Sequence, residues 1–248
     1  MRADKIKFRC SELGDIMSNP KTKGETLSKT AKGRVEAMFD EIEYGIVREF
    51  KNRYTEKGNR VEPQSLEMAN DLLKLGLTEE QIEANSQIYR YNEWVHGTSD
   101  LETEEYIIDV KSSYDATTYP MYADEIPNKH YVDQLQGYLW LSGKQSAILA
   151  YCMIDTPEDM ILDEIRREHW LQHSFWNGDE DPEIVDHVRA KHEPKYPYHL
   201  RIKKWHIERD EGRIQEFKDR IELCRGYYNE LLIAHNLPDA VDKFSNLK

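Results

Sequence analysis

The sequence predicts an α/β fold, a central mixed β-sheet flanked by helices. Segments with apolar residues at intervals of three and four alternate with β-branched and aromatic runs of strand length. Between residues 87 and 112 successive strand-like runs have no helical pattern between them, and that meander makes the sheet mixed rather than purely parallel. With 248 residues, 39% of them hydrophobic, and no evident linker, repeat or low-complexity segment, the chain is expected to form one domain over 1–248 that buries a core without covalent staples.

The first helices are expected near 11–18 and 27–48. The next, near 60–75, buries one face through Leu66, Ala69, Leu72 or Leu73, and Leu75. It puts Glu62 near the helix start, where the macrodipole favours any carboxylate. Thr78 and Gln81 cap a short helix over 79–84. Strands follow over 87–96 and 99–102. A polar turn, Glu102-Thr103-Glu104-Glu105, then separates Asp100 from strand 106–112, whose apolar run ends on Lys111-Ser112-Ser113. A mostly buried helix over 131–142 carries Gln134 and Tyr138 on one face. A strand over 146–154, a helix over 158–172, a strand over 200–208 and a helix over 210–235 complete the chain. In the last helix Ile214, Phe217, Ile221, Cys224, Tyr228 and Leu231 form one apolar stripe, expected to pack on the sheet, with a subunit contact as the second reading. His169 and His173, four apart, could bind zinc. No glutamate follows His169 as the zinc-protease pattern requires, so they read as a surface pair.

The chemistry concentrates around Gly97-Thr98-Ser99-Asp100 and Ile107-Ile108-Asp109-Val110-Lys111. Asp109 and Lys111 are two apart on a strand and share a face, and a charge set into an apolar run needs a partner or a metal. Either is open: lysine is one such partner, a metal the other. Two carboxylates with a backbone carbonyl, that of Val110, make an oxygen-only site suited to magnesium or manganese rather than zinc. A lysine beside it orients an attacking water or neutralises charge on a phosphate, the arrangement of metal-dependent phosphodiester hydrolysis. The plainer reading of Asp-x-Lys is a surface salt bridge. Gln134 reads either as a satisfied core amide or as a hydrogen-bond partner of that lysine or water.

In their order and separations Glu62, Asp100, Asp109-Val110-Lys111 and Gln134-x-x-x-Tyr138 resemble the PD-(D/E)XK nuclease superfamily, in particular the lambda-type (YqaJ-like) phage exonucleases. Ser11-Glu12-Leu13-Gly14-Asp15-Ile16 resembles that family's serine-bearing helix start, and Trp205 to Glu211 its last strand running into the final helix. Residues about 157–199 match least and read as a family-divergent insertion. The resemblance implies a restriction-endonuclease-like core, with Glu62, Asp100 and Asp109 as metal-site acids, Lys111 as catalytic lysine and Gln134 as the motif glutamine. It places Ser11 and Thr98 at a terminal 5′-phosphate, Thr98 standing in for a serine. Ser99 replaces the usual proline and Asp109 the commoner glutamate. The family's tryptophan and arginine before the serine have no counterpart here, leaving Arg2, Lys5, Lys7 and Arg9 as replacements for the arginine.

A net charge of −13 opposes simple DNA binding, which rests on neutralising phosphates. Basic clusters at Lys21 to Lys32, Lys51 to Arg60 and Arg201 to Lys204 could line one groove, or be solvated faces. Cys10, Cys152 and Cys224 are widely spaced and read as free thiols of a reducing compartment, not as iron–sulfur ligands. No signal-peptide run appears, nor the roughly 20 apolar residues that cross a bilayer, so no membrane contact and a cytoplasmic location are expected. The resemblance implies a magnesium-dependent exonuclease, manganese substituting, that degrades one strand of linear double-stranded DNA 5′ to 3′ in phage-type homologous recombination. It also implies a trimeric ring and a single-strand-annealing partner. The rivals are an endonuclease on the same fold and a non-catalytic acidic DNA mimic. A lysine set among carboxylates argues against the mimic.

Overall fold

In the computed structural model, which describes residues 3–48, 52–173 and 181–237, the chain enters through a two-residue strand, β1 (Phe8–Arg9). One 3-10 turn, Cys10–Glu12, leads to the single-turn helix α1 (Leu13–Ile16). Ser28 caps α2 (Lys29–Phe39), which loosens into a π-type turn and stops at Gly45, where φ is 70°. The helix pattern expected to 48 therefore ends early. Asn52 caps α3 (Arg53–Leu72), its side chain accepting from Thr55 N at 2.9 Å. That cap corrects the expected start at 60. Glu62 lies in mid-helix, beside Pro63, and the macrodipole gives no account of it.

Thr78 and Gln81 form the expected capping box of α4 (Glu79–Asn85). The strand expected over 87–96 is two strands, β2 (Ser86–Tyr91) and β3 (Val95–Glu102), because Asn92 Oδ1 accepts from the backbone N–H of both Trp94 and Val95 and folds the chain back. After the polar turn comes β4 (Tyr106–Ser112), as expected. The remaining elements are α5 (Lys129–Ser142), β5 (Ser146–Cys152), α6 (Glu158–His173), α7 (Pro182–His192), β6 (Ile202–Glu208) and α8 (Glu211–Ala234). Of these α7 was not foreseen, although Asp181 as cap with Pro182 at the first helical position is a helix-start signature.

The sheet is mixed. β2–β3, β3–β4 and β5–β6 pair antiparallel, β4–β5 parallel, and β1 runs parallel to the first residues of β3. Since β2 pairs with β3 from His96 to Leu101, β1 and β4 must share the other edge. β1 takes Val95 and His96, and β4 takes Leu101 and Glu102. From Gly97 to Asp100 that edge has no strand partner among the described residues.

Period-two alternation on β4 sorts the two cores. Ile107 joins Phe8, Val95, Leu135, Leu149 and Phe217 on the side of α5 and α8, whereas Ile108 and Val110 join Leu66 and Ala69 of α3. Asp109 therefore points toward α5. In the stripe of α8, Ile214 is buried within the chain, and Phe217, Ile221, Cys224 and Tyr228 are buried in the core that α8 shares with the sheet. The three cysteines are free and buried. The helices α6 and α7 share a small core of their own, Ile161, Ile165, Ile184 and Val188.

Candidate active site

Asp109 is fully buried, and its Oδ2 lies 2.5 Å from Lys111 Nζ. From α5, Gln134 Nε2 donates to Asp109 Oδ1 at 3.3 Å and to the Tyr138 hydroxyl at 2.9 Å. That reach requires α5 to lie close on the sheet, and two glycines permit it. A Cβ on Gly97 would stand 2.8 Å from Tyr138 Cε1, and one on Gly137 would stand 2.9 Å from Cys10 Sγ.

Asp100 stands where β3 and β4 part. Its Oδ2 accepts from Val110 N at 2.8 Å, so a carboxylate replaces the backbone acceptor the ladder would have offered. Glu62 approaches from α3. Gln87, held at φ 53°, donates its amide to Glu62 Oε1 at 2.6 Å. A non-glycine residue in the left-handed region is uncommon, and here it turns the amide to the site. Glu62, Asp100, Val110 and Lys111 line one cavity of about 420 Å³.

Burial, then the Asp109 charge, pushes the Asp100 carboxyl up to about 7. Burial raises Glu62 as well, with Lys111 opposing and Asp109 adding to it. For Lys111 burial works against the charge, but Asp109 and Asp100 outweigh it and raise the ammonium. The cluster thus holds more negative charge than it can solvate, and Lys111 is the cation that answers it.

The donor set suits a hard divalent ion. Glu62, Asp100, Asp109 and the Val110 carbonyl offer oxygen only, and among the described residues the buried Asp109 Oδ2 is met by the Lys111 ammonium alone. As the side chains stand, no three His, Cys, Asp or Glu groups converge on one metal position among the described residues. Lys111 occupies the Asp109 carboxylate and Gln87 turns Glu62.

Glu62, Asp100, Asp109, Lys111, Gln134 and Tyr138 are thus brought together. Ser11 and Thr98 stand outside the cavity: Ser11 is exposed on the turn after β1, and Thr98 lies on β3 two residues before Asp100. Sequence reading missed Gln87 and also Tyr131, whose ring centroid is 5.2 Å from Lys111 Nζ and which shares a helix face with Gln134. The cluster from Lys51 to Arg60, open between a groove lining and a solvated face, is divided in the structure. Lys51 lies outside the described residues, Arg53 pairs with Glu164 and Arg60 with Asp159. Lys57 is fully buried and donates to the Tyr114 and Ile154 carbonyls. Those cations hold α3 to the following segments and line no groove. Arg201 likewise pairs with Asp155. His169 is not a surface residue: it is buried and its Nε2 accepts from Asp181 N at 2.8 Å, while the His173 side chain lies outside the described residues.

No protein-family model and no curated protein matches the chain. Solved structures do. A phage-related exonuclease from Haemophilus somnus 129PT is 28% identical, over 93% of this chain and 97% of that one, with a TM-score of 0.71. An alkaline exonuclease from Laribacter hongkongensis, LHK-Exo, is 12% identical over 95% of this chain and 94% of its own, with a TM-score of 0.62. The same enzyme in complex with dAMP gives 14% identity over 94% and 95%, with a TM-score of 0.58. These neighbours bear out the resemblance to PD-(D/E)XK nucleases of the lambda exonuclease type. The chain's sheet is the restriction-endonuclease-like core, and a nuclease is an enzyme, so the reading as a non-catalytic DNA mimic falls. In this nuclease Ser99, where the family usually has proline, is buried and donates its hydroxyl to Glu102 Oε1 at 2.8 Å. No helix among the described residues is long and apolar enough to cross a membrane.

Proposed function

We propose that the chain is a magnesium-dependent DNA exonuclease that digests one strand of linear duplex DNA from its 5′ end. The observation that carries this reading is the cavity at the break between β3 and β4, where Glu62, Asp100, Val110 and Lys111 meet over the buried Asp109. Glu62, Asp100, Asp109 and the Val110 carbonyl would hold the ion. Bound there, magnesium or manganese supplies a more acidic water and charge stabilisation at the phosphate oxygens. Lys111 orients the attacking water and neutralises charge on the phosphate, and Gln134, itself held by Tyr138, fixes the Asp109 carboxylate. Ser11 and Thr98 receive a terminal 5′-phosphate, with Lys5, Lys7 or Arg9 supplying its cation; Arg2 lies outside the described residues.

The wider setting is the one the family implies. The enzyme works in the cytoplasm of a bacterial host as a trimeric ring on double-stranded DNA ends, in phage-type recombination, handing the remaining strand to a single-strand-annealing protein. The experiment is digestion of a linear duplex and a closed circle, with and without chelator. Linear DNA is expected to release nucleotides with magnesium or manganese but not with calcium, and 5′-phosphorylated ends faster than 5′-hydroxyl ends. Cutting of the closed circle favours the endonuclease, and digestion undiminished by excess chelator rejects the metal assignment.

A further inference from the structure

The outer face of the β2–β3 ribbon carries a second surface. Tyr89 and Tyr91 are 58% and 66% exposed. In the antiparallel register Tyr91 stands opposite His96, and Tyr89 opposite Thr98. Opposed residues share a face, as do residues two apart on one strand, so both rings lie on the face of β3 that carries His96 and Thr98, two residues short of Asp100. The Tyr89 centroid is 6.1 Å from that of Tyr91 and 6.0 Å from that of His96. β1 adds cations at the same place. Arg9 pairs in register with His96, and Lys7 Nζ is 4.6 Å from the Tyr91 ring centroid. Among the described residues two carboxylates approach Arg9, Glu41 at 3.9 Å and Glu12, whose Oε2 accepts from the Arg9 backbone N–H at 3.0 Å.

We infer that this face is a track for single-stranded DNA leading to the cleavage site. Exposed rings in succession offer stacking platforms to unpaired bases, and the flanking cations face the phosphates between them. A duplex, its bases already stacked on one another, would use the charge and not the rings. The direction of the track rests on the proposed nuclease reading, because it is Asp100 that makes one end of it the place of cutting. A DNA end with a 5′ single-stranded extension lies across Tyr91, Tyr89 and Thr98 before it reaches Asp100. Its first cut releases an oligonucleotide: water's oxygen bonds to phosphorus, the P–O bond to the departing oxygen breaks, and one of water's protons goes to that oxygen.

The test uses the full chain in chelator with fluorescein-labelled oligo(dT), read by anisotropy. Wild type is expected to bind, and the double variant Tyr89→Ala/Tyr91→Ala to bind at least about tenfold more weakly. Its circular dichroism and its digestion of blunt duplex are expected to be unchanged. With magnesium, wild type is expected to give oligonucleotides from a 5′-extended duplex, and the double variant to give far fewer. Wild-type affinity in the double variant overturns the proposal, as do mononucleotides as the sole first product. A changed sedimentation coefficient in that variant also overturns it, by making the rings a contact between copies. Lys111→Ala separates the two readings: if it still cleaves while the tyrosine variant alone loses oligo(dT), the active-site assignment falls and the track stands.

Discussion

Asp100 and Lys111 answer the same crowding of negative charge in opposite ways. One takes up a proton and the other keeps its own. Asp100 titrates near 3.8 when unfolded and is pushed up to about 7 when folded, by burial and then by Asp109. A carboxyl raised in this way stabilises the fold fully below its unfolded pKa, and that stabilisation is lost as pH rises through about 7. The metal-free protein is therefore expected to melt lower at pH ~8 than at pH ~6, and Asp100→Asn to flatten the dependence. Melting in chelator across that range checks it; an unchanged slope in the variant removes Asp100 as its source. Activity should rise over the same range, since a divalent ion competes with that proton. Lys111→Ala is expected to lower turnover by roughly 10²–10³-fold, as removal of a charge-stabilising group at a reacting centre does. Substantial turnover in that variant would end its assigned role. Gln134 acts one step further out, through its bonds to Asp109 and Tyr138. Gln134→Ala should cost about tenfold, with the larger loss in kcat rather than KM; a change in KM alone would place Gln134 in substrate binding.

How the site is presented depends on the break between β3 and β4 and on the closeness of α5 and α3. Gly137 lets α5 lie against Cys10 and Leu13, where an added Cβ would stand 2.9 Å and 2.7 Å from side-chain atoms. Gly137→Ala is expected to lower Tm and activity together, because it lifts Gln134 from Asp109. Lys57 fixes α3 at its other end, donating at 2.8 Å and 2.9 Å to carbonyls that follow β4 and β5. Replacing it by methionine leaves the Ile154 carbonyl unpaired and the Tyr114 carbonyl with the Thr156 hydroxyl at 3.4 Å, which at ~1–3 kcal/mol for the lost partner predicts a loss of about 1–3 kcal/mol in urea unfolding. A loss below about 1 kcal/mol would mean that water replaces the ammonium. These elements also mark what the sequence could and could not disclose. The hairpin bearing Asp100, Asp109 and Lys111 was legible because alternation and a polar turn are local signals. Helix α3 was misplaced by seven residues because its early turns, Arg53 to Arg60, are polar and face partners far along the chain. Arg60 finds Asp159 and Arg53 finds Glu164, and no window of sequence reveals a pairing at that separation. The strand over 87–96 was read as one because Asn92 breaks it with a side-chain turn inside an otherwise strand-like run. Strand β1 is too short for any periodicity to announce it.

A nuclease of net charge −13 has to obtain affinity for a polyanion from somewhere other than bulk charge. The structure sharpens the difficulty. Arg53, Arg60 and Arg201 are paired with carboxylates of their own chain, and Lys57 is buried. Those four cations are not available to phosphates, and the slope of log affinity against log salt scales with the number that are. Initial loading onto an end is therefore expected to show a shallow salt slope, equivalent to only a few phosphate contacts per subunit. The proposed ring supplies what charge does not, because an enzyme enclosing a duplex leaves only by opening or by running off an end. Processivity should then fall less with added salt than loading does. A single-round assay with a DNA trap, run across a salt series beside sedimentation velocity, measures both. A monomer that cuts distributively at the assay concentration would remove the ring and leave the site on β4 untouched, since every residue assigned to that site comes from one chain.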